Sequence, residues 1–278
     1  MGHRLQRRHR RFGGRAARRA PGRAGRAVDH APEEPAQHGR RRIRRRRLRH
    51  PRGTHPPGGQ DRMTHIVVFG SVQMELVTHA ERAPDPGQAV SGREFHAVPG
   101  GSGGRQAVAA VRAGAAVSVA GAVGTDAYGE RLRAGLVREG VDVDLLRTVP
   151  GPSGTAQVTV DAAGYPTVVA VPGANAALTV ATPGDVALIG TGDALLLSSG
   201  TPSSGVTSAA LAARERGVRT VLAPSQADPL PDELLAATGL LVVDEDGAAA
   251  LTGRHEPYRS VRALLELVPE AVVTLGAA

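Results

Sequence analysis

From His65 onward, short β-branched and leucine-rich runs alternate with alanine-rich stretches of helical period, and few folds accept that alternation. Ile66–Phe69 reads as a buried strand ending at Gly70. Gln106–Ala113 reads as a helix stopped by Gly114, and Val117–Val123 as a strand. Asp126–Glu139 reads as a helix with Leu132, Leu136 and Val137 on one face and Gly140 as its stop. Ala194–Leu197, Arg219–Ala223 and Leu240–Val243 read as further strands. Ser203–Arg216, Pro231–Ala237, Gly247–Leu251 and Tyr258–Leu267 read as helices, and Ala271–Leu275 as a last buried strand. Strands alternating with helices require an α/β fold with a doubly wound, mainly parallel sheet covered on both faces. Thr155–Val160 and Thr167–Val171, joined through Asp161-Ala162-Ala163-Gly164, interrupt the alternation as a hairpin. With an extended piece near Ala89–Val98, the hairpin implies a small separate β layer.

The 62 residues ahead of this pattern are of another kind. All 34 basic residues of the chain are arginine, and 20 of them lie in residues 1–62 against 4 acidic residues, a net +16. Residues 63–278 carry −8, so the basic character belongs to the first segment alone. Its large apolar residues are only Leu5, Phe12, Val28, Ile43 and Leu48. So little apolar surface cannot offset the entropy of ordering, and the segment is expected to be disordered. The run from Arg40 to Arg49 has the composition of a nucleic-acid arm. An all-arginine, Pro/Gly/Ala/His-rich stretch also has the character of GC-rich DNA translated ahead of a true start. Met63, running straight into a strand, fits such a start. The misplaced start is the preferred reading, a nucleic-acid partner is not expected, and a solvated tail is a third possibility.

Absent residues exclude whole chemistries. Without cysteine there are no disulfides, thiolate metal sites or cysteine nucleophiles. Without lysine there is no Walker A loop and no Schiff base. No apolar run approaches the ~18 residues that span a membrane, and no signal-peptide pattern opens the chain. A cytoplasmic protein is expected.

Two segments have the residues to hold a ligand. Pro99-Gly100-Gly101-Ser102-Gly103-Gly104-Arg105 opens into a helix, where glycines admit close backbone approach and the helix start offers unpaired N–H groups. Gly70-Ser71-Val72-Gln73-Met74-Glu75 lies just past a strand end, where open α/β sheets bind ligands. Gln73 and Glu75, two apart in extended chain, would point the same way and could bracket a polyol.

These segments, with Arg-Ala-Pro-Asp-Pro-Gly-Gln at 82–88, Val-Gly-Thr-Asp-Ala-Tyr-Gly at 123–129, Pro-Gly-Ala-Asn at 172–175 and Leu-Thr-Gly at 251–253, fall in one order over essentially all of 64–278. The series resembles the ribokinase branch of the ribokinase/PfkB carbohydrate kinases. The resemblance implies a ribokinase-like doubly wound core with a small β lid, here from about 73–98 and 155–171. It also implies ATP and Mg²⁺ as cofactors, a sugar or nucleoside as ligand, phosphoryl transfer to a sugar hydroxyl, and a lid-mediated homodimer.

Carried over position by position, the resemblance implies a degenerate site. The family's Gly-Ser-x-Asn-x-Asp places Gln73 in the Asn slot and Glu75 in the Asp slot, each a methylene longer, about 1.5 Å of reach. Its Gly-Gly-Lys-Gly-Ala-Asn-Gln-Ala aligns with Gly100 and Gly101, with Ser102 in the Lys slot and Arg105 in the Asn slot. A guanidinium there would fill the sugar site or swing away. Tyr165 stands in a lid Glu slot. On the nucleotide and metal side, Asn-x-x-Glu aligns with Asp244 and puts glycine in the Glu slot, leaving Glu245 and Asp246 as out-of-register carboxylates. The family's Gly-Ala-Gly-Asp catalytic turn would fall beyond Ala278. The chain is therefore expected to lack its C-terminal part, to be inactive as written, and to expose an apolar sheet edge that lowers its solubility. Gly190-Thr191-Gly192-Asp193 imitates that turn in letters, but Asp193 precedes a strand and not a helix. A non-catalytic sugar- or nucleoside-binding module on the same fold is the alternative reading.

Overall fold

The computed structural model describes residues 63–224 and 230–276. The Arg-rich segment, and with it the question of a basic arm, lies outside them. In chain order the first elements are β1 (His65–Phe69), β2 (Gln73–Ala80), β3 (Gly92–Gly100), α1 (Ser102–Arg112), β4 (Ala116–Gly124), α2 (Ala127–Arg138) and β5 (Leu146–Val149). Next come β6 (Gly154–Val160), β7 (Pro166–Val171), a 3₁₀ turn over Gly173–Ala177, α3 (Pro183–Ile189), β8 (Ala194–Ser198) and α4 (Ser203–Glu215). The last are β9 (Arg219–Ala223), α5 (Asp232–Ala236), β10 (Leu240–Asp244), α6 (Glu245–Thr252), α7 (Pro257–Leu264) and β11 (Glu270–Thr274).

Seven strands form one parallel sheet in the order β11-β10-β9-β8-β1-β4-β5. β1 is buried on both faces because successive side chains alternate across the sheet. Val67 and Phe69 join the core under α3–α7, with Leu195, Leu197, Ala209 and Leu241. Val68 joins the core under α1 and α2, with Ala107, Val119, Leu132 and Leu136. The chain winds outward from β1 through β4 to β5, then returns to β8 on the other side of β1. That reversal puts the topological switch point between β1 and β8, at the strand ends where ligands of such sheets bind.

The second sheet is mixed, in the order β3-β2-β6-β7, with β2 antiparallel to β3 and parallel to β6. The β6–β7 hairpin closes through Asp161, whose Oδ1 accepts the N–H groups of Ala163 and Tyr165, both at 2.9 Å.

Several elements differ from their expected form. α1 begins at Ser102, four residues before Gln106. A Cβ on Gly103 would lie 2.8 Å from the carbonyl carbon of Gly70, so two low-propensity glycines become helical by packing on the chain leaving β1. β11 is an edge strand whose residues alternate between exposed and half-buried, which corrects the expectation of a buried strand there. Its Val-Val pair suits a covered position, but only β10 flanks it. β5 and α3 have no counterpart in the expected series, and β2 falls inside the expected lid at 73–98 without being delimited as a strand. Among the described residues, no helix is long and apolar enough to cross a membrane.

Candidate functional site

At the switch point β1 ends and the chain passes through Gly70-Ser71-Val72 into β2, while β3 returns alongside into α1. The two passages are locked by backbone contact. Gly104 donates its N–H to the Ser71 carbonyl at 3.1 Å. Gly101 has φ of +87°, and a Cβ there would lie 2.6 Å from the same oxygen. Only glycine meets both conditions.

Gln73 and Glu75 do share a face. Met74 between them is fully buried in the core under α1 and α2, which turns its neighbours to the other side of the lid sheet. Gln73 lies opposite Gly100, and a Cβ on Gly100 would overlap the Glu75 carboxylate. Glu75 Oε1 accepts the Gly101 N–H at 3.3 Å and forms an ion pair with Arg105 Nη1. The Arg105 side chain is 59% exposed and that of Glu75 only 19%. Arg105 thus swings onto the carboxylate that the sequence offered to a polyol. The structure brings Gln73, Glu75, Gly100, Gly101, Ser102 and Arg105 together.

Tyr165 is not among them. Gln73 is level with Gly154, while Tyr165 follows the hairpin turn beyond Val160, six residues or about 20 Å along the lid. It is 73% exposed. Asp244 is at the correct sheet edge but three strand spacings from β1, about 14 Å. It caps α6, its Oδ1 accepting the Gly247 N–H at 2.7 Å. Glu245 and Asp246 occupy the first turn of the same helix, where the dipole favours carboxylates. Among the described residues, no three carboxylate or histidine groups are placed to hold a metal ion together. Asp193 sits at the opposite edge of the sheet, where its Oδ2 accepts the His65 N–H at 2.8 Å.

Two positioning residues escaped the sequence reading. Asn175, fully buried, was visible only as the end of Pro-Gly-Ala-Asn. Its amide accepts the Val72 N–H and donates to the Val72 carbonyl, both at 3.0 Å, and so aims the start of β2. Asp126 caps α2 through Gly129 and accepts from the N–H and hydroxyl of Ser153 at 3.0 and 2.6 Å. Partial burial pushes its carboxyl up, but the hydrogen bonds from Ser153 and Gly129 prevail and hold it below the usual range. Beside the crevice, Ser198 Oγ, Thr201 Oγ1 and Gln106 Oε1 are buried without a hydrogen-bond partner among the described residues.

A parallel sheet with a glycine-walled crevice at its switch point, closed by a mixed four-stranded lid, has the architecture of a ribokinase-like sugar phosphotransferase. The chain belongs to the pfkB family of carbohydrate kinases, whose family model matches residues 63–278, and its relatives place it in the ribokinase branch. It is 34% identical over 190 residues to a ribokinase of Haemophilus influenzae, covering 68% of this chain and 62% of that protein. With a ribokinase of Bacillus subtilis the identity is 35% over 191 residues, covering 68% and 65%. The chain thus spans under two thirds of the length of these relatives. Among solved structures, the Arabidopsis thaliana ribokinase complexed with ribose and ATP superposes with a TM-score of 0.70 at 26% identity, covering 78% of this chain and 73% of that one.

Proposed function

We propose that residues 63–276 bind a sugar in the crevice between the lid and the Gly100–Arg105 turn, as the acceptor-binding part of a ribokinase-type, ATP-dependent sugar kinase. The observation that carries this reading is the shared face of Gln73 and Glu75 set against Gly100 and Gly101. A carboxylate and an amide on one face can accept from and donate to neighbouring hydroxyls, and the glycines let a ring approach the backbone. Ser102 adds a hydroxyl at the helix start. Tyr165 would reach the ligand only if the lid bent over it.

ATP, where bound, supplies the γ-phosphoryl group that such kinases transfer. The described residues do not fit it well. Asp244, Glu245 and Asp246 present three carboxylates to a polyanion, and Asp244 is committed to capping α6. Among the described residues the carboxylates nearest the crevice are already engaged, Glu75 through Oε1 by Arg105 and Gly101, and Asp126 by Ser153 and Gly129. This favours sugar recognition without phosphoryl transfer by these residues alone, which is also what a non-catalytic binding module would do.

A lid-mediated homodimer is part of the proposal. By register, Val77, Val98, Val158 and Val168 share the lid face of Glu75, and Val98 and Val168 are exposed. Titration calorimetry with pentoses and hexoses, beside a phosphorylation assay with ATP and Mg²⁺, tests the reading. Saturable sugar binding without turnover is expected. Turnover above background would overturn the inactive reading, and no binding of any sugar would overturn the site.

A further inference from the structure

The polyol-facing carboxylate of the crevice already has a cation on it. Arg105 lies in the first turn of α1, which contains no acidic residue, so the helix itself gives the guanidinium no partner. Its contact is Glu75, across on β2, and it uses Nη1 alone; the remaining donors of the guanidinium have no partner among the described residues. Arg105 also lines the end of a groove of about 860 Å³ that runs between α1 and α2 over Val108, Ala109, Leu132 and Leu136. The charged residues further along it are Arg112, Arg138 and Glu139. Arg112 and Glu139 neutralise each other through hydrogen bonds of 2.8 and 3.0 Å, so Arg138 leaves the groove positive.

Resting on the sugar-binding reading above, we infer that the crevice selects anionic sugars, polyols bearing a carboxylate or phosphate group, and that Arg105 determines this specificity. A neutral sugar can hydrogen-bond to Glu75 Oε2 but meets the free donors of Arg105 only with uncharged hydroxyl oxygens. An acidic sugar gives the free donors of Arg105 an anion, with the paired geometry that guanidinium and carboxylate share. Glu75 Oε2, without a partner among the described residues, then accepts a hydroxyl. The ion pair stays intact and becomes the recognition element.

The test is calorimetry of the full chain with ribose, ribonate and ribose 5-phosphate, on the natural protein and on Arg105→Asn and Glu75→Gln. The anionic sugars are expected to bind at least fivefold tighter than ribose, with a preference that weakens as salt rises. Arg105→Asn, an exposed substitution checked by its melting temperature, is expected to reverse the order. Glu75→Gln, which removes the charge that holds Arg105 in place, should weaken both ribose and ribonate. Ribonate and ribose 5-phosphate together show which anion is preferred, and either one above ribose supports the inference. Ribose binding as tightly as both, or an order unchanged in Arg105→Asn, would overturn it while leaving the sugar site standing. Absence of binding by all three would remove the sugar reading and this inference with it.

Discussion

Asn175 holds Val72 as a neighbouring strand would, its side-chain amide taking the N–H and the carbonyl of one residue at 3.0 Å each. The contact spans 103 residues and is fully buried, and Val72 leads directly into Gln73 and Glu75. Asn175→Ala would leave both backbone groups buried and unpaired, a loss of about 2–4 kcal/mol. Asn175→Asp should be no better, because a carboxylate cannot donate to the Val72 carbonyl. Urea unfolding of the two variants checks this, and sugar affinity should fall in both.

The glycines of the ligand turn should respond in opposite directions. Gly101→Ala meets a positive φ and a Cβ 2.6 Å from the Ser71 oxygen, so a loss of about 2–3 kcal/mol is expected. Gly104 is helical with open space around its Cβ position. Gly104→Ala should therefore raise stability by about 0.5–1 kcal/mol. Thermal melts of the pair separate backbone strain from simple loss of a glycine.

Asp126 links stability to acid. Its carboxyl is held below 3.8, so the charged form is favoured by folding. The stabilisation is present above that unfolded-state value and is lost as pH falls through the lower folded-state value. Asp126→Asn still caps α2 but turns one of the two oxygens that accept from Ser153 into a donor, so stability should fall by about 1 kcal/mol at neutral pH. Melting temperatures of the two proteins are expected to converge as pH falls through the lowered folded-state value.

Much of the core was legible because its signals are local. A helix read over Asp126–Glu139 with Gly140 as its stop agrees with α2 within one or two residues, and the hairpin is marked by Asp161 and Gly164. The bounds of β2 are not legible because Gln73, Glu75 and His79 interrupt its apolar residues, although extended chain at 73–75 does put Gln73 and Glu75 on one face. β3 buries little besides Gly100 and carries little pattern to read. The fate of Arg105 depended on a carboxylate 30 residues away, and the role of Asn175 on a contact more than three times as distant in sequence. Tyr165 is a candidate only through the family resemblance, as the residue in a lid Glu slot, and that slot says nothing of how far the lid carries it from the crevice.

The lid offers a test of assembly. Val168 is half exposed on the face it shares with Glu75. Sedimentation equilibrium should find a dimer for the natural protein and a monomer for Val168→Asp, with secondary structure unchanged. A natural protein that stays monomeric at high concentration would remove the lid-mediated dimer.

The crevice between the lid and the Gly100–Arg105 turn is the proposed sugar site. Calorimetry of the full chain against ribose and ribonate, repeated on Glu75→Ala and on the distant Asp244→Asn, reaches that claim most directly. Saturable binding of at least one sugar, lost in Glu75→Ala and kept in Asp244→Asn, is the predicted result. Binding that survives Glu75→Ala unchanged, or no binding by the natural protein, would contradict it.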